Sequence, residues 1–182
     1  PPMPDLSALT PGPWNVDPSH STVGFTARHL MITKVHGTFK TFSGVLQVAA
    51  DPLKSTVEAT VDMTSVHTGD ESRDGHLRTG DFFEVDKFPT MTLKSTKITG
   101  DGDDYTMTAD LTIKGVTKPV TFELEFEGVS KDPWGNIKAG FSASTEINRK
   151  EWGIEWNAVL DTGGVALGEK VKINLDIQAV KA

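Results

Sequence analysis

SVHTGDESRDGHLRTGDFFEVDKFPTMTLKS, residues 65 to 95, is the stretch on which the reading of the fold turns. On either side of it apolar and polar residues alternate with period two, the mark of half-buried β-strands. Here the alternation stops. Leu77, Phe82, Phe83, Val85 and Phe88 fit no single face of a long helix. The segment reads instead as a helical turn or two broken at Gly80, carrying apolar groups that must be covered. In a chain of strands, such a segment at residues 69–89 is a lid across one end of a closed sheet.

Outward from it, the strands declare themselves by their rows. Val23, Phe25 and Ala27 share one face; Thr22, Thr26 and Arg28 share the other. Phe39 and Phe42 have opposite parity, so both can face inward only if the chain bulges between them. Val57, Ala59, Val61 and Met63 alternate with Glu58, Thr60 and Asp62. After the lid, Met91 to Ile98 resumes the pattern and Gly100 to Asp104 turns the chain. Tyr105, Met107, Ala109, Leu111 and Ile113 form the next row, followed by Val120, Phe122, Leu124 and Phe126. Ile137, Ala139, Phe141 and Ala143 make another. Asn148 to Gly164 breaks the pattern with room for a helical turn, and Val171, Ile173, Leu175, Ile177 and Ala179 close the chain. Residues 1–13 are Pro-rich and read as an arm, with Leu6 and Leu9 docking on a single domain at 14–182. About eight antiparallel strands result, the number whose closed barrel fills itself or holds one small ligand. Alternation alone fits a barrel or a sandwich.

Composition narrows the function. At 182 residues the chain can bury one real core. Its net charge of −7 and the absence of any basic run exclude nucleic acid as the main partner. It has no cysteine, which removes disulfides and thiol chemistry. No apolar run approaches the roughly 20 residues that cross a bilayer as a helix. The N-terminal residues lack the basic flank and apolar core of a signal peptide, so the expected place is the cytoplasm, or the periplasm or exterior if such a segment has been removed.

The motifs, in order, resemble the YceI-like family. They are Asp17-Pro18-Ser19-His20-Ser21, Val23-Gly24-Phe25, Arg28-His29, Gly37-Thr38-Phe39, Phe42-Ser43-Gly44 and Thr68-Gly69. Arg73-Asp74-Gly75-His76-Leu77, Phe82-Phe83, Pro89 and Lys94-Ser95 follow, then Gly115 to Val120 and Trp152-Gly153-Ile154. The resemblance runs from Trp14 to Val180. It implies an all-β, closed antiparallel lipocalin-like barrel that binds polyisoprenoid or similar long-chain lipid.

On that implication the inward rows become ligand-lining candidates: Val23, Phe25 and Ala27; Phe42 and Leu46; Ala59, Val61 and Met63; Leu111 and Ile113. Phe122, Leu124 and Phe126, with Phe141, Ala143, Ile173 and Leu175, complete the set. Apolar rows also make a solid core; Ala27, Ala59, Ala109, Ala139 and Ala143 leave room or mark where the barrel narrows. His20, Arg73, His76, Leu77, Phe82 and Phe83 are the head-group or lid candidates, since an Arg fork suits phosphate or carboxylate. For Arg73, an ion pair with Asp74 that holds the lid is the structural alternative.

The five histidines show no metal-binding spacing, and no nucleophile elbow or phosphate loop occurs. His20 and Ser21, adjacent on an extended chain, point to opposite faces and cannot exchange a proton directly. The expectation is therefore a non-enzymatic protein without cofactor or metal. It would bind, transport or store a polyisoprenoid, an isoprenoid quinone precursor or a fatty-acid derivative, with a second copy of itself allowed as partner. Two readings compete: an enzyme acting on such a lipid through His20, His76 and nearby carboxylates, and a solid-cored interaction module.

Overall fold

The computed structural model of the chain describes residues 6–101, 104–160 and 164–182. Its strands are β1 (Gly12–Val16), β2 (Thr22–His29), β3 (Thr33–Phe39), β4 (Phe42–Val48), β5 (Thr56–Asp62) and β6 (Val66–His67). The helix α1 (Glu71–Leu77) follows. Then come β7 (Thr90–Asp101), β8 (Asp104–Ile113), β9 (Val116–Lys131), β10 (Ile137–Asn148), β11 (Val159–Leu160), β12 (Gly164–Val165) and β13 (Leu167–Lys181). Of the turn expected at Gly100–Asp104, Gly102 and Asp103 lie outside the described residues, as do residues 1–5 of the arm.

These segments compose an eight-stranded antiparallel barrel, because several are halves of one strand. β1 and β2 lie end to end along β13, and β3 and β4 run back along both in nearly the same register. β5 and β6 pair with β4 and β3 in the same way. β7 to β10 follow in sequence order, and β13 returns to close the ring on β1 and β2. The β1–β13 closure is short, from Trp14–Lys181 to Val16–Ala179, whereas β10–β13 pairs from Lys138 to Asn148.

The three composite strands break at one level. Asp17, between β1 and β2, accepts from the Ser19 amide and starts a 3-10 turn at Pro18–His20. Asp62 starts a second turn in the same manner between β5 and β6. Between them, at Lys40–Thr41, both amides bond to Ser65 and the Asp62 amide bonds to the Thr41 carbonyl. The bulge that Phe39 and Phe42 required is therefore here, and both rings face the interior.

The inward rows pack as the alternation predicts. Met107, Ala109, Leu111 and Ile113 are buried, with Val120, Phe122 and Phe126 beside them. The far edge of the Phe25 ring packs on Gly37, where a Cβ would stand 2.2 Å from it, so the ring sits there only because residue 37 is glycine. Trp14 and Trp152 are almost fully buried, each worth about 5 kcal/mol at roughly 200 Å² apiece.

Both ends of the barrel are covered. At one, Leu9 is buried against Trp14, Val48 and Phe126, and the Trp14 Nε1 donates to the Thr10 carbonyl. At the other, α1 and the turns after it form the lid expected from residues 69–89. Asp70 caps α1 through the Arg73 amide, and the helix ends before Gly80. Phe82 and Val85 are buried beneath it; Leu77 and Phe83 are half-buried.

Candidate functional site

Inside the wall lie two apolar chambers, end to end. Chamber one has a volume of about 170 Å³ and lies toward the end covered by Leu6 and Leu9. Chamber two, about 300 Å³, lies under the lid. Val23, Met91 and Ile173 line both and form the waist between them. An apolar cavity of about 150 Å³ accommodates one benzene ring, so the pair has room for on the order of 15–20 carbons.

The ligand-lining candidates are all on this surface. Phe42, Leu46, Ala59, Val61, Leu111, Phe122, Leu124, Phe126, Phe141, Ala143 and Leu175 line chamber one, whereas Phe25, Ala27, Met63 and Ile113 line chamber two. The alanines divide: Ala27, Ala59 and Ala143 face open space, but Ala109 and Ala139 line neither chamber and are fully packed.

Of the head-group and lid candidates, Arg73, His76, Leu77, Phe82 and Phe83 all line chamber two. His20 does not belong with them. It sits outside the wall at the break between β1 and β2, its side chain 60% exposed, with Nδ1 2.9 Å from the Asp17 carboxylate. The Ser19 hydroxyl and His20 together hold the Asp17 carboxyl at about 2, below the usual carboxylate range. That triad shapes a turn and faces neither chamber.

The lid is held by a different pairing from the Arg73–Asp74 ion pair that was the alternative to head-group binding. Asp74, 1% exposed, accepts from the Thr68 amide and hydroxyl, while Arg73 donates to the Thr68 hydroxyl and carbonyl. Neighbours on a short helix point in different directions, so each meets the β6–α1 connection rather than the other. His76 stands edge-on to Phe82 and Trp156, at 5.0 and 4.8 Å, and its Nε2 lies 2.8 Å from Asp81.

Arg149, Trp152, Ile154 and Trp156 also line chamber two; none is among the site candidates, although Trp152-Gly153-Ile154 is one of the motifs behind the family resemblance. They come from the pattern break after β10. Asn148 caps a 3-10 turn at Arg149–Trp152 and Gly153 ends it at φ 77°. The Trp152 Nε1 donates to the Leu111 carbonyl, anchoring the turn across the barrel. Arg149 is 4% exposed, and burial pushes its guanidinium pKa down. Among the described residues no three His, Asp or Glu side chains gather closely enough to hold a metal ion.

A closed antiparallel barrel with a covered apolar interior defines the lipocalin-like class of ligand-binding architectures. Within it, this chain belongs to the YceI-like family, whose domain profile matches residues 14–179. A UPF0312 protein of Staphylococcus aureus is 40% identical over 159 residues, covering 86% of this chain and 90% of its own. The YceI protein of Campylobacter jejuni superposes with a TM-score of 0.73 at 31% identity, covering 85% of this chain and 90% of that one. A polyisoprenoid binding domain from Saccharophagus degradans, 16% identical, shares the fold with a TM-score of 0.72, covering 93% and 98%.

Proposed function

We propose that the protein binds and carries a long-chain amphiphilic lipid inside the barrel and does no chemistry on it. A polyisoprenoid, an isoprenoid quinone precursor and a fatty-acid derivative all fit that description. The observation that carries this reading is the pair of chambers meeting at Val23, Met91 and Ile173. Each buried CH2 is worth about 0.8 kcal/mol, so ten carbons gain on the order of 8 kcal/mol before the cost of ordering them. Taken whole, that gain equals a Kd of about 1 μM, and the ordering cost weakens binding from there. The shared fold of the polyisoprenoid binding domain from Saccharophagus degradans supports an isoprenoid chain.

A carrier also accounts for the placement of the histidines. An enzyme using His20 and His76 would need both at one reacting atom. His20 lines neither chamber, and His76 is committed to the lid with Asp81, Phe82 and Trp156.

Mass spectrometry of an organic extract of the purified protein tests this, together with titration of a fluorescent fatty-acid probe. A long-chain species near one per protein, or saturable probe uptake in the delipidated protein, is expected. A clean extract combined with no probe uptake overturns the carrier.

A further inference from the structure

The two chambers differ in charge as well as position. The lining of chamber one contains no charged side chain. That of chamber two contains His29, Arg73, His76 and Arg149, and no Asp or Glu. We propose, building on the carrier reading, that chamber two takes the anionic head group of the lipid, a phosphate or carboxylate, against Arg149, while the chain passes the waist into chamber one.

Arg149 carries the argument because its charge is buried without an ion pair. Its Nε donates to the Gly168 carbonyl at 2.9 Å, Nη1 to Ile154 at 2.7 Å and Nη2 to Leu167 at 3.4 Å. These bonds use three of the five N–H groups of a guanidinium and fix the direction of its plane. Carbonyl dipoles orient the cation but do not neutralise it. Among the described residues no carboxylate lies within salt-bridge distance of it. Glu169, the acid that acts on Arg149 through space, is held by Lys150 at 3.0 Å and by the Asn148 amide. A buried cation of this kind is costly unless a partner arrives.

An anionic head group supplies that partner and accepts from the unused N–H groups, and a charge-assisted bond of this type is the stronger kind. The other basic side chains on the lining do not need such a partner. Arg73 and His29 are exposed, so water screens them, and His76 has Asp81 at 2.8 Å. A neutral alcohol or amide accepts hydrogen bonds but leaves the charge uncompensated.

Matched pairs test the assignment: oleate against oleyl alcohol, and farnesyl phosphate against farnesol, each displacing a neutral fluorescent lipid probe from the delipidated protein. The anionic member of at least one pair should bind tenfold or more tighter, with the advantage shrinking as salt rises. In Arg149→Gln that advantage, read as the ratio of the two members so that any general loss of affinity cancels, should fall to within about twofold. Because Arg149→Gln also removes bonds that hold the turn, a second readout leaves the chain intact. The Arg149 15Nε resonance should shift with the preferred anion and stay in place with its alcohol. Equal affinity within both pairs, or an unmoved resonance, overturns the head-group assignment and leaves the carrier standing. No displacement by any of the four lipids takes down the carrier reading itself.

Discussion

Chamber one and chamber two share a wall but are built by different kinds of sequence. Chamber one is almost entirely strand: its lining comes from alternating rows on β1, β2, β4, β5, β7 to β10 and β13, with Pro52 and Ser55 from the turn after β4 and a cap of Leu6 and Leu9. Chamber two borrows from irregular chain, namely the lid after β6 and the turn after β10. The first is uniform and apolar because alternation puts one class of residue on one face. The second carries charge because turns place side chains singly. A barrel can thus vary its polar end by changing loops, without disturbing the rows that hold it together.

The sharpest way to break this comparison is to charge the strand-built chamber. Phe122 is 1% exposed and lines chamber one, so Phe122→Asp buries an unpaired carboxylate and should abolish cooperative folding. Glu123→Lys, one residue along and outward, should leave the melting temperature nearly unchanged. A damaging Glu123→Lys beside a tolerated Phe122→Asp would place the β9 register wrong by one residue.

The lid-built chamber should yield more gently. Phe82→Ala removes a buried ring packed on His76 and Trp156, at a cost of about 3–5 kcal/mol in denaturant unfolding. Should it cost under 1 kcal/mol, the lid is an ornament rather than part of the core. Filling chamber one separates a cavity from a core. Ala143→Phe should weaken probe binding at least tenfold with stability preserved; a solid interior would lose about 1–3 kcal/mol to overpacking.

The smallest effect concerns the level of the waist, where Asp17 turns the chain between Val16 and Val23. Its carboxyl, held at about 2, contributes stability that is full above the usual value of 3.8 and is lost as pH falls through about 2. Asp17→Ala should therefore cost about 1 kcal/mol at neutral pH, a capping loss, with the gap from the parent closing below pH 3 in acid titrations. A pH-independent gap would mean that the turn, not the charge, is what Asp17 supplies.

How much was legible in the sequence follows the same division. The rows were, down to the bulge between Phe39 and Phe42, because parity on a strand is a local property. The alignment of the three strand breaks was not: it depends on Ser65 bonding to residues 24 positions away. Ala109 and Ala139 could not be told from Ala59 and Ala143, since what opposes an alanine across a barrel is not written beside it. Sequence alone sets His20 beside the lid residues as a head-group candidate, yet its side chain lies outside the wall while His76 lines chamber two. Arg149 sits in Asn-Arg-Lys-Glu-Trp, which reads as a solvated turn. Its burial comes from the carbonyls of Leu167 and Gly168, on the far side of the pattern break.

One consequence remains in the way the ring is closed. Strands at a chain end fray before internal ones, and here both ends of the chain meet in one short ladder, the three pairs of β1 against the last residues of β13. It adjoins the end where Leu9 and Trp14 pack, remote from the lid. Backbone amides of β1 should therefore exchange their hydrogens sooner than those of β8 and β9. In kinetic language, the barrel breathes at its tail, so access to its interior is governed by the seam as much as by the lid.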